Sequence, residues 1–388
     1  MAAAVGDLAF ITSQNAGVVS VIDLDRASIV ASLPLEGGPA PVAYDPASGR
    51  AWVIAAETGV LSALDEAAQI TGSAALGAGA FGIAASGDGG LFVTDWYGGR
   101  LARLDADLRP VWVAETGAAP AGVALGPDGA LVATADRDDD QVSIFDAATG
   151  QRLAQVKTAG AHPFAVVFHG GRLWTADVQG NSLSVIDPQA GRLVGQVATG
   201  SHPYGVAFAG GRGFVTNQYA ASVTVFDPDT LRVTATIPVG DYPEGIATLP
   251  DDSGVVLAAW ESDLVQIIDA ASLTIRAEIE MPAGPRSSFA SNRRGRISPW
   301  APMYRPAPLP QGRFPDAPVP PGTGADSRYH TARPRREWSD AGADATRCPQ
   351  ARVRRGMVSR NGTPCSCRTS ACAPSITCAP ASVAGTGA

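Results

Sequence analysis

The sequence predicts an all-β protein built from seven copies of one four-stranded unit, closed into a ring. Three observations lead there. A strand–turn–strand–aspartate pattern recurs throughout residues 7–286, and its turn aspartates Asp23, Asp65, Asp105, Asp146, Asp187, Asp227 and Asp269 lie 40–42 residues apart. Charged residues make up only 17% of the chain, against 44 Gly and 30 Pro among 388 residues. That suits short strands and tight turns better than long surface helices. Each period holds four strand-like segments, and a period of about 40 residues with four strands marks a β-propeller blade.

The elements can be taken in order along one period. "PYGVAFA" (203–209) reads as the first strand, and Gly210-Gly211 as the tight turn after it. "GFVTN" (213–217) is the second strand. In the third, "SVTVFD" (222–227), Val223 and Val225 alternate with Ser222 and Thr224, as one face of a strand requires. Asp-Pro-Asp-Thr then turns the chain: Pro suits the first central turn position, and Asp accepts from backbone amides just ahead. "RVTATIPVG" (232–240) is the fourth strand.

The N-terminus enters on a second strand, "DLAFITSQ" (7–14), so three strands there await a first strand from the C-terminus. That strand begins at "AGPR" and then reads "SSFASNRRGR", where a glycine and an apolar alternation are due. The closing strand is therefore expected to be disrupted after Arg286, which would leave the ring unclosed and a sheet edge exposed. Two segments follow: a propeller over 1–286, and a low-complexity tail over 287–388.

The tail holds all five cysteines and 15 Arg but no Lys, whereas 1–286 has 14 basic against 32 acidic side chains. The tail is expected to be disordered or the product of a shifted reading frame in a GC-rich gene. Its cysteine spacings do not match paired zinc ligands. The acidic propeller is not expected to bind nucleic acid. No stretch is apolar enough to span a bilayer, and a monomer is expected. "MAAAVGDLAFITSQ" carries no signal peptide as written, although "AAAVGD" could be the remnant of a cleavage site if translation begins upstream.

With "FVTNQYAASVTVFDPDT", "FVTDWYGG", "FITSQNAGVVSVIDL" and the lead "GSHPYGVAF" in view, the chain resembles the YVTN family of seven-bladed β-propellers over residues 7–286. The resemblance is specific for the fold and weak for activity. It implies export to the periplasm or cell exterior. It is compatible with a binding or accessory protein, or, as the alternative, with a lactonase- or lyase-like enzyme or a subunit of a periplasmic dehydrogenase system.

In propellers, ligands gather at the face where the fourth-to-first and second-to-third loops meet the channel. The leads into the first strands are Pro41, Ala80, Pro120, His162-Pro163, His202-Pro203, Tyr242-Pro243 and Pro285-Arg286. The ends of the second strands are Ser13, Ala55, Asp95, Ala135, Asp177, Asn217 and Ala259. The ligand-binding candidates are His162, His202, Tyr242, Arg286, Trp96, Asp177, Asn217 and Trp260. His162 and His202, at equivalent sites, could hold a metal with Asp177 or Asn217, but His-Pro also reads as a turn preference. Two histidines without a third ligand fall short of a site, so no metal and no cofactor are assigned. "DRDDD" (136–140) lacks the spacing of a calcium loop and reads as solvated. None of G-x-S-x-G, H-E-x-x-H, a P-loop or a dinucleotide fingerprint occurs. The expectation is a non-catalytic propeller with a small-ligand or protein-partner site at its channel mouth.

Overall fold

A computed structural model describes residues 7–45 and 48–291; the side chains of 287–291 are outside that description. The tail, its cysteines and the expected frameshift all concern residues beyond it. The described residues form seven four-stranded antiparallel sheets. Blades 1–6 cover 39–75, 80–115, 120–157, 163–198, 203–238 and 243–280 in chain order. Blade 7 joins Pro285–Ser291 to the three N-terminal strands within 8–34. Neighbouring innermost strands touch all round the ring, from Pro39–Asp45 of blade 1 to Pro285–Ser291 of blade 7 and back. Among the described residues no helix is long and apolar enough to cross a membrane.

The expectation of an unclosed ring is corrected here. Pro285–Ser291 pairs antiparallel with Leu8–Ser13, from Ser13↔Pro285 through Ile11↔Ser288 to Leu8↔Ser291. A strand ladder is made by backbone N–H and C=O groups. A run of serines weakens side-chain packing without removing those groups.

The core lies between blades rather than within them. Trp52 and Ile54 of blade 1 pack with Leu91 and Val93 of blade 2, and Trp174 of blade 4 packs with Val206 and Phe226 of blade 5. A lone twisted sheet has two apolar faces, so only stacking buries both.

The repeat's threonine fastens this stack. Thr12, Thr94 and Thr216 in second strands donate to the backbone carbonyls of Ala40, Ala121 and Glu244 in the next blade, at 2.7, 3.1 and 2.8 Å. Thr94 and Thr216 also accept from the amides of Gly82 and Gly205 in their own blades. Those glycines allow the approach: a Cβ on Gly82 would lie 2.1 Å from the Ala121 carbonyl, and one on Gly205 2.6 Å from that of Glu244.

The turn aspartates behave as the sequence implies. Asp227, for example, accepts from the amides of Asp229 and Thr230 at 2.8 and 3.0 Å.

Candidate functional site

Every innermost strand breaks its ladder just after its lead residue. The pairing shifts between Pro163 and Val166, Pro203 and Val206, and Pro243 and Ile246, and likewise in the other blades. Such a bulge re-aims the next side chain. In ring order the released residues are Ala40, Phe81, Ala121, Phe164, Tyr204, Glu244 and Arg286. A second ring follows the ends of the second strands: Gln14, Ala56, Trp96, Arg137, Val178, Gln218 and Trp260. Its amides bond the lead turns, as in Trp260 to the Tyr242 carbonyl and Gln218 to that of His202. The pairings Pro39↔Ala55 and Pro120↔Asp136 correct two assignments: the first lead is Pro39 rather than Pro41, and the blade-3 strand end is Asp136 rather than Ala135.

These rings are chemically lopsided. On one side lies an aromatic wall. Phe164 is centred 4.4 Å from Tyr204 and 5.8 Å from Phe81, which is 4.9 Å from Trp96. Arg137 lies over the Trp96 ring at 5.8 Å. On the other side is a polar knot. Nε of Arg286 lies 2.9 Å from Oε2 of Glu244, with side chains only 15% and 4% exposed. Arg286 Nη2 donates to the Tyr204 hydroxyl at 2.9 Å, and Nη1 to Oε1 of Gln14. Gln218 Nε2 donates to Oε1 of Glu244 at 2.7 Å. The guanidinium stands over the Trp260 ring at 5.1 Å, within cation–π reach.

Burial pushes the Glu244 carboxyl above its usual range, an effect that Arg286 and Gln218 oppose. Burial also disfavours the charge on Arg286. The Glu244 carboxylate and the Tyr204 hydroxyl outweigh it and hold the guanidinium more firmly protonated than usual. The Tyr204 phenol is raised, chiefly by burial.

Beneath the mouth is a cavity of about 240 Å³ in the central channel. Phe81, Phe164, Tyr204 and Arg286 line its top, and small or aliphatic residues such as Val42, Ile83, Val123 and Ile246 line its wall.

Apart from His162, the candidates separate into three groups. Trp260 and Arg286 meet on the polar side of the mouth, and Trp96 belongs to the aromatic wall. His202 and Tyr242 form a rim cluster with Tyr219: the His202 ring stacks on Tyr219 at 3.8 Å, and Tyr219 is 5.3 Å from Tyr242. The His202 ring also shares a hydrogen bond with Ser201. Asp177 and Asn217 are fully buried and tie loops together. Asp177 accepts from the Gly160 amide and from the hydroxyls of Ser182 and Ser184. Asn217 accepts from the Gly200 amide and donates to Ser222 and Thr224.

The His-Pro leads have a backbone explanation. His162, His202 and Tyr242 all adopt positive φ, near 55–58°, immediately before proline. The amide of His162 donates to Asp140 Oδ1 at 2.7 Å and that of His202 to Asn181 Oδ1 at 3.0 Å, each in the preceding blade. The acidic loop is likewise in structural use: Asp136 binds Gly117 and Ser143, Asp139 binds Ala118, and Asp138 pairs with Arg137.

Comparisons with known proteins agree with this architecture. Residues 101–278 match the model of the YNCE-like β-propeller family. No curated protein matches the chain significantly. Among solved structures, a functionally unknown protein from Desulfotomaculum acetoxidans aligns with a TM-score of 0.64 at 13% identity, over 74% of this chain and 99% of that one. Hydrazine synthase of Kuenenia stuttgartiensis aligns at 0.58 and 17%, over 66% and 93%. The dihydro-heme d1 dehydrogenase NirN aligns at 0.56 and 15%, over 73% and 74%. At such identities the likeness concerns the fold. By its seven four-stranded blades the chain is a seven-bladed β-propeller, and over residues 101–278 it is similar to the YNCE-like β-propeller family, consistent with the YVTN-type repeats.

Proposed function

We propose that this protein is a non-catalytic binding propeller that takes a small, mostly apolar molecule into the mouth of its central channel. The observation that carries this is the broken symmetry of the inner ring. A scaffold alone needs only small residues at the bulge, as at Ala40 and Ala121. Here three blades place Phe81, Phe164 and Tyr204 there, and two others place Glu244 and Arg286. Aromatic walls with a few convergent polar groups are what small-molecule sites share. The cavity, at about 240 Å³, lies just below the roughly 300–1,000 Å³ of drug-sized sites, so the occupant is small.

The enzyme alternative draws less support. It calls on His162, His202 and Arg286 together, yet the His202 ring is engaged by Tyr219 and Ser201 on the rim. A protein-docking role of the rim draws on Tyr97 and Tyr219, 80% and 49% exposed. Export is supported by the YVTN resemblance alone, and cell fractionation of the native host would check it.

The channel reading is tested by filling the mouth. Ala40 occupies the position that carries Phe in blades 2 and 4, so the blade geometry accepts an aromatic there. Ligand-observed NMR with a panel of single-ring compounds is run on the wild type and on Ala40→Phe. Binding that disappears in the variant supports the proposal. Binding that persists there moves the site away from the channel.

A further inference from the structure

The polar knot at the mouth leaves hydrogen-bonding capacity unused: Glu244 Oε2 meets Arg286 as an ion pair without a hydrogen bond, and several donors are left over beside it. Arg286 carries two hydrogens on each terminal nitrogen. Among the described residues one on Nη1 goes to Gln14 and one on Nη2 to Tyr204. Guanidinium has no acceptor, so Tyr204, which accepts from Arg286, must send its own hydrogen elsewhere, and no described residue receives it. Two guanidinium N–H groups and one phenol O–H thus have no hydrogen-bond acceptor among the described residues, and both side chains line the cavity. Buried donors left without acceptors are costly, and here they line a cavity rather than a packed core.

The charge is already balanced. Glu244 lies 2.9 Å from Arg286 and both are largely buried. An added carboxylate would bring a second negative charge beside Glu244, at the cost of desolvating it. A neutral acceptor adds none. Below the knot the channel wall turns aliphatic at Val42, Ile83, Val123 and Ile246.

From this we infer that the ligand is a small ring compound bearing a neutral carbonyl-type oxygen. That oxygen accepts from Arg286 and Tyr204 at the mouth, and the apolar body fills the channel below. The inference rests on the channel-mouth reading and adds the ligand's class to it. Arg286 and Tyr204 orient the molecule, and Phe164 and Phe81 flank it.

The test uses the full chain and three probes of similar size: acetophenone, which has a neutral carbonyl; ethylbenzene, which has no acceptor; and benzoate, which is charged. Binding is titrated through tryptophan fluorescence, with Trp96 and Trp260 as mouth reporters, and by ligand-observed NMR. Acetophenone is expected to bind most tightly of the three. Tyr204→Phe, whose fold is checked by circular dichroism, should weaken acetophenone about fivefold, the effect of one neutral hydrogen bond, and leave ethylbenzene unchanged. Ethylbenzene binding as well as acetophenone would overturn the carbonyl assignment while the channel site stands. Benzoate binding more tightly would overturn its neutrality. If none of the three binds in a way that Ala40→Phe abolishes, the channel reading itself fails. The probe ranking on the wild type decides the matter even if Tyr204→Phe does not fold.

Discussion

The guanidinium of Arg286 and the carboxylate of Glu244 meet at 2.9 Å across the joint between blades 6 and 7. The contact joins the second residue of the closing strand to its counterpart one blade back. Gln14 and Tyr204 add hydrogen bonds from blades 7 and 5, so one side chain touches three blades.

Removing one partner should therefore cost more than the pair contributes. Arg286→Met leaves Glu244 buried without its cation, a change typically worth about 3–5 kcal/mol. The double variant Arg286→Met/Glu244→Met should recover much of that loss. Urea denaturation of the single and double variants gives the coupling. Additive losses would mean that the two side chains act independently.

Asp177 should make stability depend on pH. Burial pushes its carboxyl up to about 6, with the hydroxyls of Ser184 and Ser182 and the Gly160 amide opposing. Its folded pKa thus lies above its unfolded one, so the folded state binds more protons between the two. Stability falls as pH rises from about 4 to about 6, and on the order of 3 kcal/mol is lost above that window. Asn217 makes the equivalent loop bonds without a charge. Asp177→Asn should raise the melting temperature at pH 7 and flatten its dependence between pH 4 and 6. An unchanged pH profile would show that Asp177 is not the titrating group.

Thr216 stands between two backbone groups, accepting from the Gly205 amide and donating to the Glu244 carbonyl, both at 2.8 Å. Thr216→Val keeps the shape and strands both groups, which should cost about 2–6 kcal/mol at about 1–3 for each buried group. Thr216→Ser keeps the hydroxyl and should cost clearly less. Equal losses in the two variants would assign the role to the methyl group.

Ring closure is checked at a backbone position. Ser288 pairs with Ile11 in the closing ladder, and Ser288→Pro removes its N–H and restricts its backbone. The variant should unfold at a lower temperature, and hydrogen exchange should rise along Leu8–Ser13. Unaltered exchange in that strand would mean that closure does not depend on this ladder.

Much of the fold was legible because repetition reports itself: seven turn aspartates at even spacing imply seven blades, and three orphan strands imply a shared one. Legibility was poorer at the site. Trp96, Trp260 and Arg286 are legible as candidates because they stand beside recognisable strand ends and leads. Phe81, Phe164, Tyr204 and Glu244 are not among the sequence candidates, because a regular strand alternates its faces and the bulge suspends that rule. Aligning the seven first strands on the residue after the lead would have exposed them. Asp177 and Asn217 carried a functional-looking signal that arose from loop fastening.

The amino-acid sequence by itself determined the repeating unit, the strands, the turns and the number of blades, because these depend on local alternation, turn chemistry and period. Only the tertiary structure decided which side chains meet. Arg286 and Glu244 are 42 residues apart, and Arg286 and Gln14 lie near opposite ends of the described chain. Ring closure brings them together, and the bulges aim them. It also decided that a serine-rich strand closes the ring, since the partner supplies the ladder and the backbone carries it.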